Sequence, residues 1–215
     1  TTDDPIGPCP AVFDLMVITI NPAATVDAGA IATICEGDNY TLSGTVGGGA
    51  TSGTWTTSGN GTFSPDNVTL TASYIPGSND ISMGSVTLTL TTNDPVGPCT
   101  AVADNMVITI NPAATADAGI PATICASACQ TLSGLVGRGA TSGSWTTAGD
   151  GIFDNVNILN ATYCPGTNDI SGGSVTLTLT TNDPAGPCPA ISDNVIISFN
   201  PVAIASAGVD SVICA

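Results

Sequence analysis

The chain contains no histidine and no lysine, and Arg138 is the sole basic side chain among its 215 residues. Without His or Lys no Ser/His/Asp or Cys/His nucleophile can be assembled, and no amine is present for a Schiff base or a phosphate clamp. The lack of lysine also excludes Lys–Asn isopeptide cross-links, and it leaves a Lys/Arg-directed protease one target. Against Arg138 stand 17 acidic residues, all Asp except Glu36, for a net charge of −16. Nothing could neutralise phosphates, so nucleic acid and anionic membranes are excluded as partners. Aromatics make up only 4% of the chain, so its core must be mostly Val, Ile, Leu and Ala. No apolar run is long enough to span a bilayer, so no membrane insertion is expected of this segment. These absences together argue against an enzyme and leave no catalytic residue to nominate.

What the chain has is repetition. TTDDPIGPCPAVFDLMVITINPAATVDAGAIATIC (Thr1 to Cys35) returns from Thr91 to Cys125 and, more loosely, from Thr180 to Cys214, at offsets of 90 and 89 residues. That period exceeds a helical solenoid unit and matches a small domain, so the pattern reads as domains in series. The repeats open and close in mid-period, so the sequence is expected to be a slice of something longer.

Period-two alternation dominates and no stretch shows helical spacing. Strands are predicted near Ala28 to Cys35, Tyr40 to Val46, Gly53 to Ser58, Thr69 to Ile75, Ser85 to Thr92 and Asp104 to Ile110, with a short one near Phe63. Val86, Leu88 and Leu90 alternate with Thr87, Thr89 and Thr91, the pattern of a half-buried strand with a threonine-clad outer face. Turn chemistry separates the strands: Glu36-Gly37-Asp38-Asn39, Gly47-Gly48-Gly49, Ser58-Gly59-Asn60-Gly61, Pro76-Gly77-Ser78-Asn79-Asp80 and Asn93-Asp94-Pro95. Six or seven short strands per period with a single Trp on the third predict an all-β chain of tandem immunoglobulin-like β-sandwich domains in an elongated array. Residues 1–21 read as the final strand of a preceding repeat, 22–111 and 112–200 as full repeats, and 201–215 as the first strand of a following one. Asn21-Pro22-Ala23-Ala24-Thr25 and its copy Asn111 to Thr115 read as short stiff linkers.

The ATIC-x-G-x-x-x-TLSG stretch, the Gly-x-Trp of the third strand, the TLTLTTNDP-x-GPC segment and the closing D-x-MVITINP resemble the Ig-like or PKD-like repeats of very large Bacteroidota surface proteins, including gliding-motility adhesins. The resemblance covers the whole chain, and the second repeat departs from it at Cys125-Ala126-Ser127. It implies secretion, a cell-surface filament and adhesion, and offers no catalytic residues.

Eight cysteines in a thin-cored, Thr- and Gly-rich chain point to disulfides and an oxidising compartment. Cys129 and Cys164 occur only in the second repeat, where the first has Asn39 and Ile75. Two cysteines that appear together are expected to pair, at one pole of neighbouring antiparallel strands. The other six recur as Cys9, Cys99 and Cys188 before the last strand and as Cys35, Cys125 and Cys214 at the end of the first. Within one sandwich these lie at opposite poles, too far apart for a bond. Across a junction the poles meet, and Cys35 of one domain could reach Cys188 of the next. A rival reading places a hairpin at Asn21-Pro22, with Cys9 and Cys35 each 13 residues from Pro22. It would pair Cys9 with Cys35, Cys99 with Cys125 and Cys188 with Cys214. The resemblance, whose modules end at the VITINP strand, favours the interdomain pairing.

No cofactor is required by any of this, although calcium is possible. Its oxygen chemistry suits loop carboxylates, and Asp150, Asp154 and Asp80 are the candidates, without a complete calcium-loop motif. Trp55 and Trp145 are expected in the core. The functional expectation is a structural segment of an extracellular filament or adhesin stalk. Its partners would be neighbouring repeats, further copies in a fibre and an unknown surface or polysaccharide. The alternative is a carbohydrate-binding array that stacks sugars on Trp55 and Trp145.

Overall fold

Val86, Leu88 and Leu90 project from one face of an eight-residue strand and are buried, while Thr87, Thr89 and Thr91 on the other face stay partly open to solvent. This strand and its counterpart Ser174–Thr181 are the central strands of two sandwiches. The structure is a computed structural model that describes all residues except 1–6, 9, 11, 185, 204, 207, 211, 213 and 215.

The first sandwich runs β1 (Ala24–Asp27), β2 (Ala32–Cys35), β3 (Tyr40–Thr41), β4 (Thr45–Gly48), β5 (Gly53–Thr57), β6 (Thr62–Ser64), β7 (Ser73–Ile75), α1 (Ser78–Met83), β8 (Ser85–Thr92) and β9 (Ala103–Asn111). The second repeats it as β10 (Ala114–Asp117), β11 (Ala122–Cys125), β12 (Gln130–Thr131), β13 (Leu135–Arg138), β14 (Gly143–Thr147), β15 (Ile152–Phe153), β16 (Thr162–Cys164), α2 (Thr167–Gly172), β17 (Ser174–Thr181) and β18 (Ser192–Asn200). In each, a four-stranded sheet (β2-β9-β8-β5; β11-β18-β17-β14) faces a three-stranded sheet (β3-β7-β6; β12-β16-β15) and a two-stranded ribbon (β1-β4; β10-β13). Every described strand partner of β1–β9 lies within that set, and likewise for β10–β18. The described parts of 10–21 and 201–215, expected as flanking strands, carry no strand and pair with neither sandwich.

Trp55 sits at the centre of the first core, with Leu42, Tyr74, Leu88, Leu90, Met106 and Ile108 around it. Trp145 does the same among Leu132, Tyr163, Leu177, Leu179 and Ile197. The indole N–H groups donate to Leu70 O and Leu159 O, each at 3.2 Å, which removes the desolvation penalty of burying them. The close packing explains the glycine of TLSG. A Cβ on Gly44 would lie 2.5 Å from the Trp55 ring and one on Gly134 2.7 Å from the Trp145 ring.

Tyr40 to Val46 is split into β3 and β4 in different sheets, and of Thr69 to Ile75 only Ser73–Ile75 is strand; beyond these boundaries, two expectations are corrected. The stretch Ala28 to Cys35 is not one strand. The chain pairs with β4 as β1, bends at Ala28 to Ile31, and joins the opposite sheet as β2, parallel to β9. The Ala28 N–H is held at the bend by the Asp104 carboxylate, 2.8 Å away, and Ala118 by Asp193 at 2.8 Å. Accordingly the linker is shorter than expected, since Ala24 and Thr25 already belong to β1. The second correction is α1 and α2, in segments read as turns. Each is six residues long, too short to imprint a 3.6-residue period on the sequence. An Asp in the first turn and a glycine in the left-handed conformation at the end, Gly84 (φ 73°) or Gly173 (φ 77°), delimit them.

Candidate functional site

β9 ends at Asn111 and β10 begins at Ala114, so only Pro112 and Ala113 separate the sandwiches. Because β2 runs parallel to β9 with Cys35 opposite Asn111, the turn after β2 is carried to the linker itself. There the Glu36 N–H donates to Asn111 O at 2.8 Å. From the second sandwich the loop between β17 and β18 descends on the same spot, bringing Cys188. Cys35 and Cys188 are bonded, with S–S 2.04 Å and Cα atoms 5.0 Å apart, and both residues are buried.

Beside the bond lies the one ion pair found among the described residues, Glu36 with Arg138. Nη2 of Arg138 donates to both carboxylate oxygens, 2.6 Å from Oε1, and Oε2 also accepts from the Ala113 N–H at 3.3 Å. The only glutamate and the only cation of the chain therefore meet across one junction. Arg138 takes a left-handed backbone (φ 59°) at the position where the first repeat has Gly48 (φ 65°), a conformation that costs a non-glycine residue about 1 kcal/mol. An exposed pair contributes about 0–1 kcal/mol, so its part is to fix register more than to hold the domains together.

Cys129 and Cys164 are bonded to each other, S–S 2.03 Å, at one end of the antiparallel β12–β16 pair. The rival hairpin pairing does not form. Cys35 is taken by Cys188, while Cys99, Cys125 and Cys214 are free thiols; Cys9 lies outside the described residues. The reason is topological. β9 runs the length of the first sandwich, roughly 26 Å at about 3.3 Å per residue, from the pole of Cys99 to the junction, whereas Cys125 ends β11 opposite Asn200 at the far end of the second sandwich.

Trp55 and Trp145 are 0% and 1% exposed, so neither offers a face for a sugar, and the carbohydrate alternative loses its residues. Asp80, Asp150 and Asp154 do not converge on one site either. Asp80 belongs to the first sandwich and the other two to the second. Asp150 accepts from the Asn168 and Asp169 N–H groups, and Asp154 from Asn155 and Thr162. Among the described residues no group of three or more Cys, Asp or Glu is arranged to hold a metal ion.

Asp80 is instead the hub of a buried polar cluster. It accepts from Tyr74 Oη at 2.7 Å and from the N–H groups of Gly77, Asn60 and Gly61 at 2.9, 3.1 and 3.1 Å. Since the Tyr74 proton goes to Asp80, Thr57 Oγ1 donates to Tyr74 Oη at 2.8 Å and in turn accepts from the Gly59 N–H. Burial pushes the Asp80 carboxyl up, but these donors outweigh it and hold the group below its ordinary value. Burial and the adjacent carboxylate push Tyr74 up to about 12. Asp169, Tyr163 and Thr147 repeat the cluster, with Tyr163 also raised to about 12. The spacing Tyr-x5-Asp in both repeats is the signal that sequence reading passed over.

No protein-family model and no curated protein matches the sequence. Among solved structures, the insect immune protein hemolin, whose domain arrangement is described as having implications for homophilic adhesion, gives a TM-score of 0.51 at 10% identity, over 87% of this chain and 49% of that one. Protocadherin gamma B2 extracellular cadherin domains 3-6 give 0.41 at 12% identity, over 83% and 47%. Human protocadherin-24 EC1-2 gives 0.42 at 11%, over 86% and 100%. The chain thus spans about half the length of the first two. At such identities likeness speaks for fold alone, and the likeness to hemolin together with the sheet topology establishes the chain as all-β, built of Ig-like sandwiches in series.

Proposed function

We propose that this chain is a segment of an extracellular adhesin-like stalk or filament, made of tandem Ig-like repeats whose work is to extend from a cell surface and support adhesion. The observation that carries this reading is the buried Cys35–Cys188 bond across a two-residue linker. A joint closed by main chain, disulfide and ion pair suits a stiff rod. Disulfide bonds suit an oxidising, extracellular setting. The neighbours of the fold are adhesion-type sandwiches, and no described helix is long and apolar enough to cross a membrane. The resemblance of the ATIC, TLSG and VITINP motifs to Bacteroidota surface repeats adds a cell-surface filament as the parent structure, with neighbouring repeats as its first partners. The acidic surface would keep adjacent filaments apart through mutual repulsion.

Immunogold microscopy of intact producing cells with antibody raised against the chain tests the reading. Gold is expected on thin surface projections, and Fab fragments of the same antibody are expected to reduce attachment. Label that appears only after permeabilisation would overturn it.

A further inference from the structure

The bonded junction has two halves, and each half recurs unbonded elsewhere in the chain. One half is Cys188 with its surroundings. Its sulfur lies 3.5 Å from the carbonyl oxygen of Asn111, behind Gly186 (φ 91°), where a side chain would strike the Asn111 amide. At the upstream pole of the first sandwich Cys99 repeats this arrangement. Its sulfur lies 3.6 Å from the carbonyl oxygen of Asn21, behind Gly97 (φ 103°), where a side chain would strike the Asn21 amide. The other half is Cys35, opposite Asn111, with the next N–H donating to Asn111 O at 2.8 Å. At the downstream pole of the second sandwich Cys125 stands opposite Asn200, and the Ala126 N–H donates to Asn200 O at 2.9 Å. Cys35 is buried under the incoming loop, whereas Cys125 is exposed.

A third observation says what fits the upstream pole. Residues 14–21, DLMVITIN, differ from DNMVITIN at 104–111 by one residue. In β9, Met106, Ile108 and Ile110 are 2%, 0% and 3% exposed; Met16, Ile18 and Ile20 are 82%, 73% and 88% exposed. The same apolar row that closes one core is here without one, directly before Asn21. The occupant is therefore a sandwich of this same kind.

We propose that the two poles are docking faces for further copies of this repeat: Cys99 takes the cysteine that ends the second strand of an upstream copy, and Cys125 takes the cysteine that precedes the last strand of a downstream copy. This deepens the reading of the chain as a tandem array by naming the surfaces and partners at its joints. In each bond the two thiols give up two protons and two electrons to a disulfide oxidant, which leaves as two thiols.

The test lengthens the full chain from within. In one variant residues 112–200 are duplicated after Asn200, with Ser in place of the copied Cys125; in the other, residues 22–111 are duplicated after Asn21, with Ser in place of the copied Cys99. Both are refolded in a reduced/oxidised glutathione buffer, alkylated with iodoacetamide and mapped without reduction. The first is expected to yield a peptide joining Cys125 to the added copy of Cys188, with the copied Cys129–Cys164 bond reporting that the added sandwich folded. The second is expected to join Cys99 to the added copy of Cys35. In both, Cys125 or Cys99 changes from fully alkylated to unlabelled. Recovery of alkylated Cys125 and Cys99 in these chains, or their bonding to any other cysteine, overturns the proposal. The readout is connectivity alone, so an array that supports no adhesion would still pass or fail on its own terms.

Discussion

Replacing both Cys35 and Cys188 by Ala should destabilise the two sandwiches equally, an outcome specific to a bond that bridges them. When the first sandwich unfolds alone, the intact bond holds the span from Cys35 to Asn111 as a closed loop against the folded second. When the second unfolds alone, the span from Pro112 to Cys188 is closed against the first. Each loop is about 77 residues, and the chain-entropy relation assigns such a closure about 4.5 kcal/mol at 25 °C, with 2–5 kcal/mol typical on removal of a native disulfide. For domains of this size that corresponds to roughly 10–30 °C in midpoint temperature. Replacing Cys129 and Cys164 opens a 35-residue loop, about 3.8 kcal/mol by the same relation, in the second sandwich only. Hydrogen-exchange mass spectrometry in rising urea, read on peptides from β8 and β17, separates the two sandwiches. If loss of Cys35 and Cys188 leaves β8 protection unchanged while β17 falls, or the reverse, the reasoning fails.

Asp80→Ala should destabilise the first sandwich by about 3 kcal/mol, because it strands the Tyr74 hydroxyl and three amides; β17 exchange is expected to stay unchanged. Trp55→Ala should cost about 3–5 kcal/mol through the cavity it leaves, readable in the urea midpoint. Carboxyls Asp80, Asp104 and Asp193 are held below their ordinary value, so the stability they add is complete above the unfolded value of about 3.9 and declines as pH falls through their folded values. Tyr74 and Tyr163 are raised to about 12, so their contribution is full below about pH 10 and is lost as pH rises towards 12. Tyrosinate absorbance against pH should show two late ionisations, accompanied by unfolding. Arg138→Gly exchanges the ion pair for relief of a left-handed backbone and should change stability by less than about 1 kcal/mol, while dithiothreitol reduces Cys35–Cys188 faster; an unchanged reduction rate would mean that Glu36–Arg138 does not shield the bond.

The sandwich architecture was legible because its signals are periodic: Val86, Leu88 and Leu90 against Thr87, Thr89 and Thr91, and one Trp per repeat. Comparing the copies isolated Cys129 and Cys164 as a set; the argument from poles allowed Cys35 to reach Cys188 but left the hairpin pairing open, and the resemblance favoured the interdomain pair that the structure contains. The crossing from β1 to β2 was not legible, since Ala28 to Ile31 keeps an extended composition and the bend is set by a distant carboxylate, Asp104. α1 and α2 escaped because capping residues, not periodicity, define them. In the sequence Asp80 reads as a turn carboxylate and calcium candidate, and its burial follows only once Tyr74 and the α1 cap converge on it. The Glu36–Arg138 contact had a signal in the singularity of both residues, but only the fold says that they share a junction.

The Cys35–Cys188 bond also changes how a pull would travel. Tension applied at the two ends passes from Cys35 through sulfur into Cys188 and leaves along β18, bypassing the covalent stretch in between. With the proposed bonds at Cys99 and Cys125 in place, every repeat is crossed by two covalent threads, its first two strands and its last, which exchange places at each joint. Such a strand cannot lengthen by unravelling its domains; before a thread parts, a sulfur–sulfur or peptide bond must break.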